Sequence, residues 1–189
     1  MPRVIRNNRP SKRITKSNYR KASLSYLLLD FDGRCAYSMQ KVEGKMAEVD
    51  HFDPRKKNDC VQEYDNLFLA SRHCNGSKWH TWPTSAQQQK GIRFLNCCEE
   101  DDYGVCIFEN KNSHELIGIT PAAKWHIITL DLNAPFLVRE RRKRAEIAEI
   151  LSRPVQLKNL SSDAMQLLKD SLSALKFDKV NLIPDIPYR

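Results

Sequence analysis

Apolar and polar positions follow two rhythms along this chain, and the switches between them mark its elements. From Ser17 to Phe31 (SNYRKASLSYLLLDF) the spacing is helical. Tyr19, Leu24, Leu27, Leu28 and Phe31 form one stripe, Ser17 is placed to cap the start, and Asp32-Gly33 to end it. A short apolar, β-branched run then closes on Asp50-His51 and reads as a strand. An irregular loop over 52–65 follows, carrying Pro54, Asn58 and Asp59. Leu67-Phe68-Leu69-Ala70 reads as a second strand, and Arg72 to Lys78 (RHCNGSK) opens a helix directly behind it.

The second half begins with a polar stretch over 84–91 and a turn-rich acidic segment, Asn96 to Gly104. Alternation with period two then runs from Gly104 to Leu132. VCIFE and ELIGIT predict a hairpin about Asn110 to His114, and WHIITLDL a further strand. Asn133 with Pro135 predicts a helix start, and Phe136 to Ser152 a basic helix. Pro154 breaks that pattern. Ser161 to Leu175 resumes helical spacing with Met165, Leu168, Leu172 and Leu175 on one face, and NLIPDIPYR reads as an extended tail. Strands and helices together predict an α+β chain.

Charge narrows the class of partner. The 189 residues carry a formal charge of +8 with an isoelectric point near 9.2. Such a balance points to an acidic partner, nucleic acid first and an anionic surface second. The first twenty residues hold Arg3, Arg6, Arg9, Lys12, Arg13, Lys16 and Arg20 without one acidic group. Residues 1–16 therefore read as a basic, flexible arm drawn to phosphate, with Arg9, Lys12 and Arg13 as contacts. No apolar run approaches the ~20 residues needed to span a bilayer, and the start lacks the apolar core of a secretory signal. Six unevenly spread cysteines read as free thiols. The expected location is cytoplasmic, with no membrane partner.

The chemistry concentrates between Glu48 and Lys78. Strand, loop, strand and helix set a carboxylate (Asp50), an imidazole (His51) and an amide (Asn75) on adjacent elements. That set can hold one divalent metal and activate one water. Taken singly, an Asp-His pair at a strand end is usually a capped loop, and an Asn before Gly is usually a turn. The combination carries the signal.

Asp50-His51, then Asn66-Leu67, then Cys74-Asn75 with Lys78 three residues on, resembles the ββα-metal core of HNH endonucleases, with Asn75 in place of the last histidine. The resemblance implies an α+β fold with that core over residues 17–96, an N-terminal helix, and a strand-plus-helix extension over 97–189 that packs on the core or on a partner. It implies a phosphodiester hydrolase in which His51 is the general base and Asp50 and Asn75 hold Mg2+ (or Mn2+). Asn66 braces the loop and the orientation of His51. Lys78 and Arg72 contact phosphate, and His73 is a weaker metal candidate. Many such proteins also bind structural zinc through two CxxC pairs. Here the matching positions are Cys35, Ser38, Ser71 and Cys74, and two thiolates do not make a zinc site. No structural zinc is expected, and Cys35 and Cys74 remain as a buried pair. Cys97 and Cys98 read as bystander thiols.

The order from the acidic turn through HELIGITPAAKWHIITLDLN to APFLVRERR is similar to HNH subunits of bacterial anti-phage systems of the Septu and retron-associated kind. That likeness implies DNA as substrate, a toxic effector role and an ATPase subunit as partner. Two other readings stand beside it: a catalytically silent DNA-binding or scaffold subunit, and an RNA nuclease.

Overall fold

The computed structural model describes residues 3–152 and 161–163. Most of the stretch Ser161 to Leu175 and all of NLIPDIPYR lie outside the described residues. What is described is a mixed α+β chain with five α-helices and two small antiparallel sheets.

Helix α1 spans Tyr19–Asp30 and buries Ser23 and Leu27. Its exit follows the sequence: Asp32 and Gly33 take φ of 50° and 63°, and the Gly33 amide donates back to the Leu28 carbonyl at 2.8 Å. Its entry differs. Asn18, not Ser17, precedes the first turn, and the Asn18 carboxamide accepts from the Thr15 amide at 2.7 Å instead of capping the helix. The Ser17 hydroxyl pairs with that of Thr15.

Strand β1 (Ala47–His51) pairs antiparallel with β2 (Leu67–Ser71), Asp50 lying opposite Phe68 and His51 opposite Leu67. All five residues of β2 are buried, which is why its sequence is a continuous apolar run rather than an alternating one. Helix α2 (Arg72–Lys78) follows without a break, its first turn closed by the Ser71 hydroxyl accepting from the Cys74 amide at 3.2 Å. Helices α1 and α2 both pack on this hairpin. Short α3 (Ser85–Gln89) begins with a reciprocal Thr84–Gln87 cap.

The hairpin expected after the acidic turn is present as β3 (Ile107–Glu109) and β4 (Leu116–Gly118). The further strand is not. Pro121–Thr129 is helix α4, with Pro121 in the first turn and the Thr120 hydroxyl accepting from the Ala123 amide at 3.1 Å. The β-branched pair Ile127-Ile128 reads as strand locally, but a capped start with proline in the first turn and a buried face over Ala122, Ala123, His126 and Ile127 decide for helix. Helix α4 lies so close to β4 that a Cβ on Gly118 would sit 2.5 Å from the Lys124 nitrogen. Helix α5 covers Pro135–Ser152. Asn133 does not cap it. Its carboxamide instead accepts from the Leu116 amide at 2.7 Å and donates to the Leu116 carbonyl at 3.0 Å, extending the edge of β4 as a strand would.

Both halves share one core. Phe52 stacks on Phe68 at 4.7 Å, Trp82 and Phe94 close the cluster, and Phe94 meets Trp125 at 4.6 Å. The arm expected to be free is bound to this body. The Val4 amide donates to the Cys97 carbonyl, the Gln62 amide to the Ile14 carbonyl, and Ile14 itself is buried. Arg6 lies over the rings of Phe31, Tyr64 and Phe68 at 4.7–5.3 Å.

Candidate active site

His51 ends β1, and its ring is held from two sides. Tyr19 of α1 packs on it with ring centroids 4.7 Å apart. Its Nε2 lies 2.6 Å from the Gln62 Oε1. The Gln62 amide nitrogen is committed to the carbonyls of Asp59 and Lys57, so Oε1 is an acceptor and the proton of a neutral His51 sits on Nε2. Nδ1 then carries the free lone pair and has no hydrogen-bond partner among the described residues. Burial holds the His51 pKa below its ordinary 6.5, against the opposing effects of Gln62 and Asp50, so the ring is neutral at pH 7. A buried, oriented and neutral imidazole is suited to taking a proton from water.

Glu48 and Asp50, two apart on β1, both turn toward α2. Glu48 Oε2 accepts from the Asn75 carboxamide at 2.7 Å, and its Oε1 lies 3.9 Å from Arg72 Nε. Asp50 is almost wholly buried. Lys78 Nζ sits 2.9 Å from one of its oxygens and 3.2 Å from the other, and the Tyr37 hydroxyl donates at 2.5 Å. Burial pushes the Asp50 carboxyl up and the Lys78 ammonium down, and their mutual attraction opposes both shifts. The Tyr37 carbonyl in turn accepts from the Tyr103 hydroxyl, which ties the second half of the chain to the back of the site.

Lys78 is therefore not a phosphate contact. It has no exposed surface, and its third partner is the His51 carbonyl at 2.7 Å. One buried ammonium ties Asp50 and His51 to α2. Asn66 braces the loop as expected, but at Asp53: its carboxamide accepts from the Asp53 amide at 2.8 Å and donates to the Asp53 carbonyl at 3.1 Å. Orientation of the His51 ring falls to Gln62. His73 points away, its Nε2 3.1 Å from the Asp131 carbonyl and its ring edge-on to Phe136.

A pocket of about 280 Å3 gathers Tyr19, Glu48, Asp50, His51, Lys57, Arg72, Asn75, Trp79 and His80. Arg72 is three-quarters exposed at its rim. Lys12 and Arg13 are exposed, whereas Arg9 is engaged by Asp65 at 2.8 Å. Cys35 and Cys74 share a buried, hydrogen-bonded site with Ser38 and Ser71. Cys98 accepts from Arg6 Nε at 3.2 Å. No helix among the described residues is long and apolar enough to cross a membrane.

The residues the motif left out are Glu48, Gln62 and Tyr37. Period-two spacing from Asp50 puts Glu48 on the same strand face. Gln62 and Tyr37 carried no comparable local signal. Comparison with known proteins adds nothing to this geometry: no family model, no curated protein and no solved structure matches the chain.

Proposed function

We propose that the chain is a metal-dependent endonuclease of the HNH type that hydrolyses phosphodiester bonds of DNA. The observation that carries this reading is His51: a buried imidazole with Nε2 committed to Gln62 and Nδ1 free, in one pocket with Glu48, Asp50 and Asn75. In this reading Nδ1 takes the proton from the attacking water. Gln62 and Tyr19 hold the ring through the transfer, and Lys78 holds the strand end that carries it.

The donors left free at the pocket are oxygens, the ligands of a hard cation. Glu48 and Asn75 offer oxygen donors at the pocket, while both Asp50 oxygens are engaged by Lys78 and Tyr37, and no group of three or more His, Cys, Asp or Glu side chains suited to a metal occurs among the described residues. Two protein oxygens do not enclose an ion, so a cation held here would have to keep several waters and complete its shell with substrate phosphate, as Mg2+ does. When bound, it would stabilise charge on the phosphoryl and leaving oxygens. In this reading Arg72, Lys57 and His80, which line the pocket, receive flanking phosphates, and the exposed Lys12 and Arg13 of the arm are further contacts. These are backbone contacts, so sequence preference is modest. The resemblance to anti-phage subunits further supports a toxic effector working beside an ATPase.

One observation favours a silent DNA-binding subunit instead: both Asp50 oxygens are occupied by Lys78 and Tyr37. Cleavage of plasmid DNA with Mg2+ separates the two readings. The wild type cuts, and His51→Ala loses at least about a hundredfold. Equal cutting by both proteins removes His51 from the mechanism, and DNA binding without cutting by either favours the silent subunit. RNA substrates run in parallel test the ribonuclease alternative.

A further inference from the structure

Three tryptophans occupy the chain, and one of them is out of place. Trp82 packs against Phe52 and Phe94, and Trp125 against Phe94. Trp79 is 71% exposed. Its backbone adopts φ 47° and ψ −122°, and the turn it opens is closed by the Thr81 amide donating to the Lys78 carbonyl at 2.9 Å. Trp79 thus occupies the second position of a type II′ turn, where glycine dominates because a Cβ is strained. A bulky side chain there gains little from burial and pays in backbone strain. Strain of this kind gathers at binding sites.

The exposed indole stands at the pocket that holds His51 and Asn75, with Lys57 and Arg72 on the same rim. The His80 ring sits against it at 5.0 Å and 60°, which steadies the indole. We propose that Trp79 is a stacking platform for an unpaired nucleobase beside the phosphate entering the pocket. The site then takes nucleic acid with unpaired nucleotides, in a single strand, loop or frayed end, in preference to continuous duplex. This rests on the nuclease reading of the same pocket and names its substrate class. In a duplex both faces of an internal base are covered by its neighbours, and an indole has nothing to stack on. An unpaired base offers its face whatever its identity. The rim cations meanwhile hold the flanking phosphates.

The test is fluorescence anisotropy in EDTA, with one labelled mixed-sequence oligonucleotide as single-stranded DNA, single-stranded RNA and DNA duplex. The proteins are the wild type, Trp79→Ala, Trp79→Phe and Trp79→Gly. Alanine and phenylalanine keep the backbone strain, so they differ in the aromatic face alone. The wild type binds single strands more tightly than duplex. Trp79→Ala weakens single-strand binding by about ten- to a hundredfold with little effect on duplex, and Trp79→Phe retains most of the affinity. Trp79→Gly melts no lower than the wild type yet binds as poorly as Trp79→Ala. The DNA and RNA arms show which strand supplies the base. Unchanged single-strand affinity in Trp79→Ala, an equal loss on duplex, or a lowered melting temperature in Trp79→Gly overturns the proposal. The two readings fail separately. Trp79-dependent strand binding without cleavage in Mg2+ sinks the nuclease and leaves the platform. Cleavage of duplex and single strand that Trp79→Ala does not alter sinks the platform and leaves the nuclease.

Discussion

At the scale of single residues, the candidate site is a set of hydrogen bonds that fix who carries each proton. Gln62 raises the His51 pKa while burial lowers it. Replacing Gln62 with leucine removes the opposing contribution and lowers the pKa, and under the proposed nuclease reading the acid limb of the cleavage profile moves to lower pH. The rate also drops, by about ten- to a hundredfold, because the ring loses its orientation. A pH–rate series on DNA reads both effects, and an acid limb that stays in place shows that Gln62 does not set the His51 pKa. Lys78 makes a different kind of statement. Lys78→Met leaves the Asp50 carboxylate buried beside Tyr37 without its cation, and the fold should lose about 3–5 kcal/mol in urea denaturation. Adding Asp50→Asn should recover part of that loss. Asp50, His51 and Asn75 were legible in the sequence because spacing along one strand and one helix brings them together. Gln62 and Tyr37 were not, since each reaches the site through tertiary packing that no local period encodes. Lys78 was misassigned for a related reason: a lysine three residues past Asn75 looks surface-directed until Asp50 is seen to face the same helix.

At the scale of elements, local pattern succeeded where packing agreed with it. The α1 stripe, the β1–β2–α2 order and the β3–β4 hairpin follow from periodicity and turn residues. It failed at α4, where Trp125-His126-Ile127-Ile128 alternates as a strand does but Thr120-Pro121 starts a helix. That helix buries His126, whose Nδ1 accepts from the Leu95 amide at 3.1 Å. Burial holds its pKa down to about 3, against about 6.5 in the unfolded chain. Between those values the unfolded chain binds the extra proton. This contribution to stability is therefore full above about pH 6.5 and is lost as pH falls toward about 3, by up to about 1.4 kcal/mol per pH unit. Urea midpoints measured from neutrality down to about pH 4.5 should fall steadily in the wild type. His126→Gln removes the titrating group, and its midpoints should change less over the same range.

At the scale of the whole molecule, charge told less than position. Of the basic residues near the start, Arg6 is half-buried against the core rather than free for phosphate. Its guanidinium donates to the Tyr64 carbonyl at 2.6 Å and covers three aromatic rings. Arg6→Ala should cost about 1–3 kcal/mol in chemical denaturation through lost packing and cation–π contact. The exposed Arg9–Asp65 pair should cost little when Arg9 is removed. An Arg6→Ala chain as stable as the wild type would mean that the Arg6 guanidinium contributes nothing to the body.

The placement of Arg6 also sets a timetable for synthesis. It is made before every group it holds, and the last of them, Cys98, lies 92 positions later. At translation rates of roughly 5–20 residues per second, that partner arrives roughly 5–20 s after it. Through that interval Arg6 can cover the rings of Phe31, Tyr64 and Phe68 as each is made, while its bond to Cys98 waits. A chain cut short before Cys98 would thus keep the aromatic partners of Arg6 and the Tyr64 carbonyl but lack its sulfur acceptor.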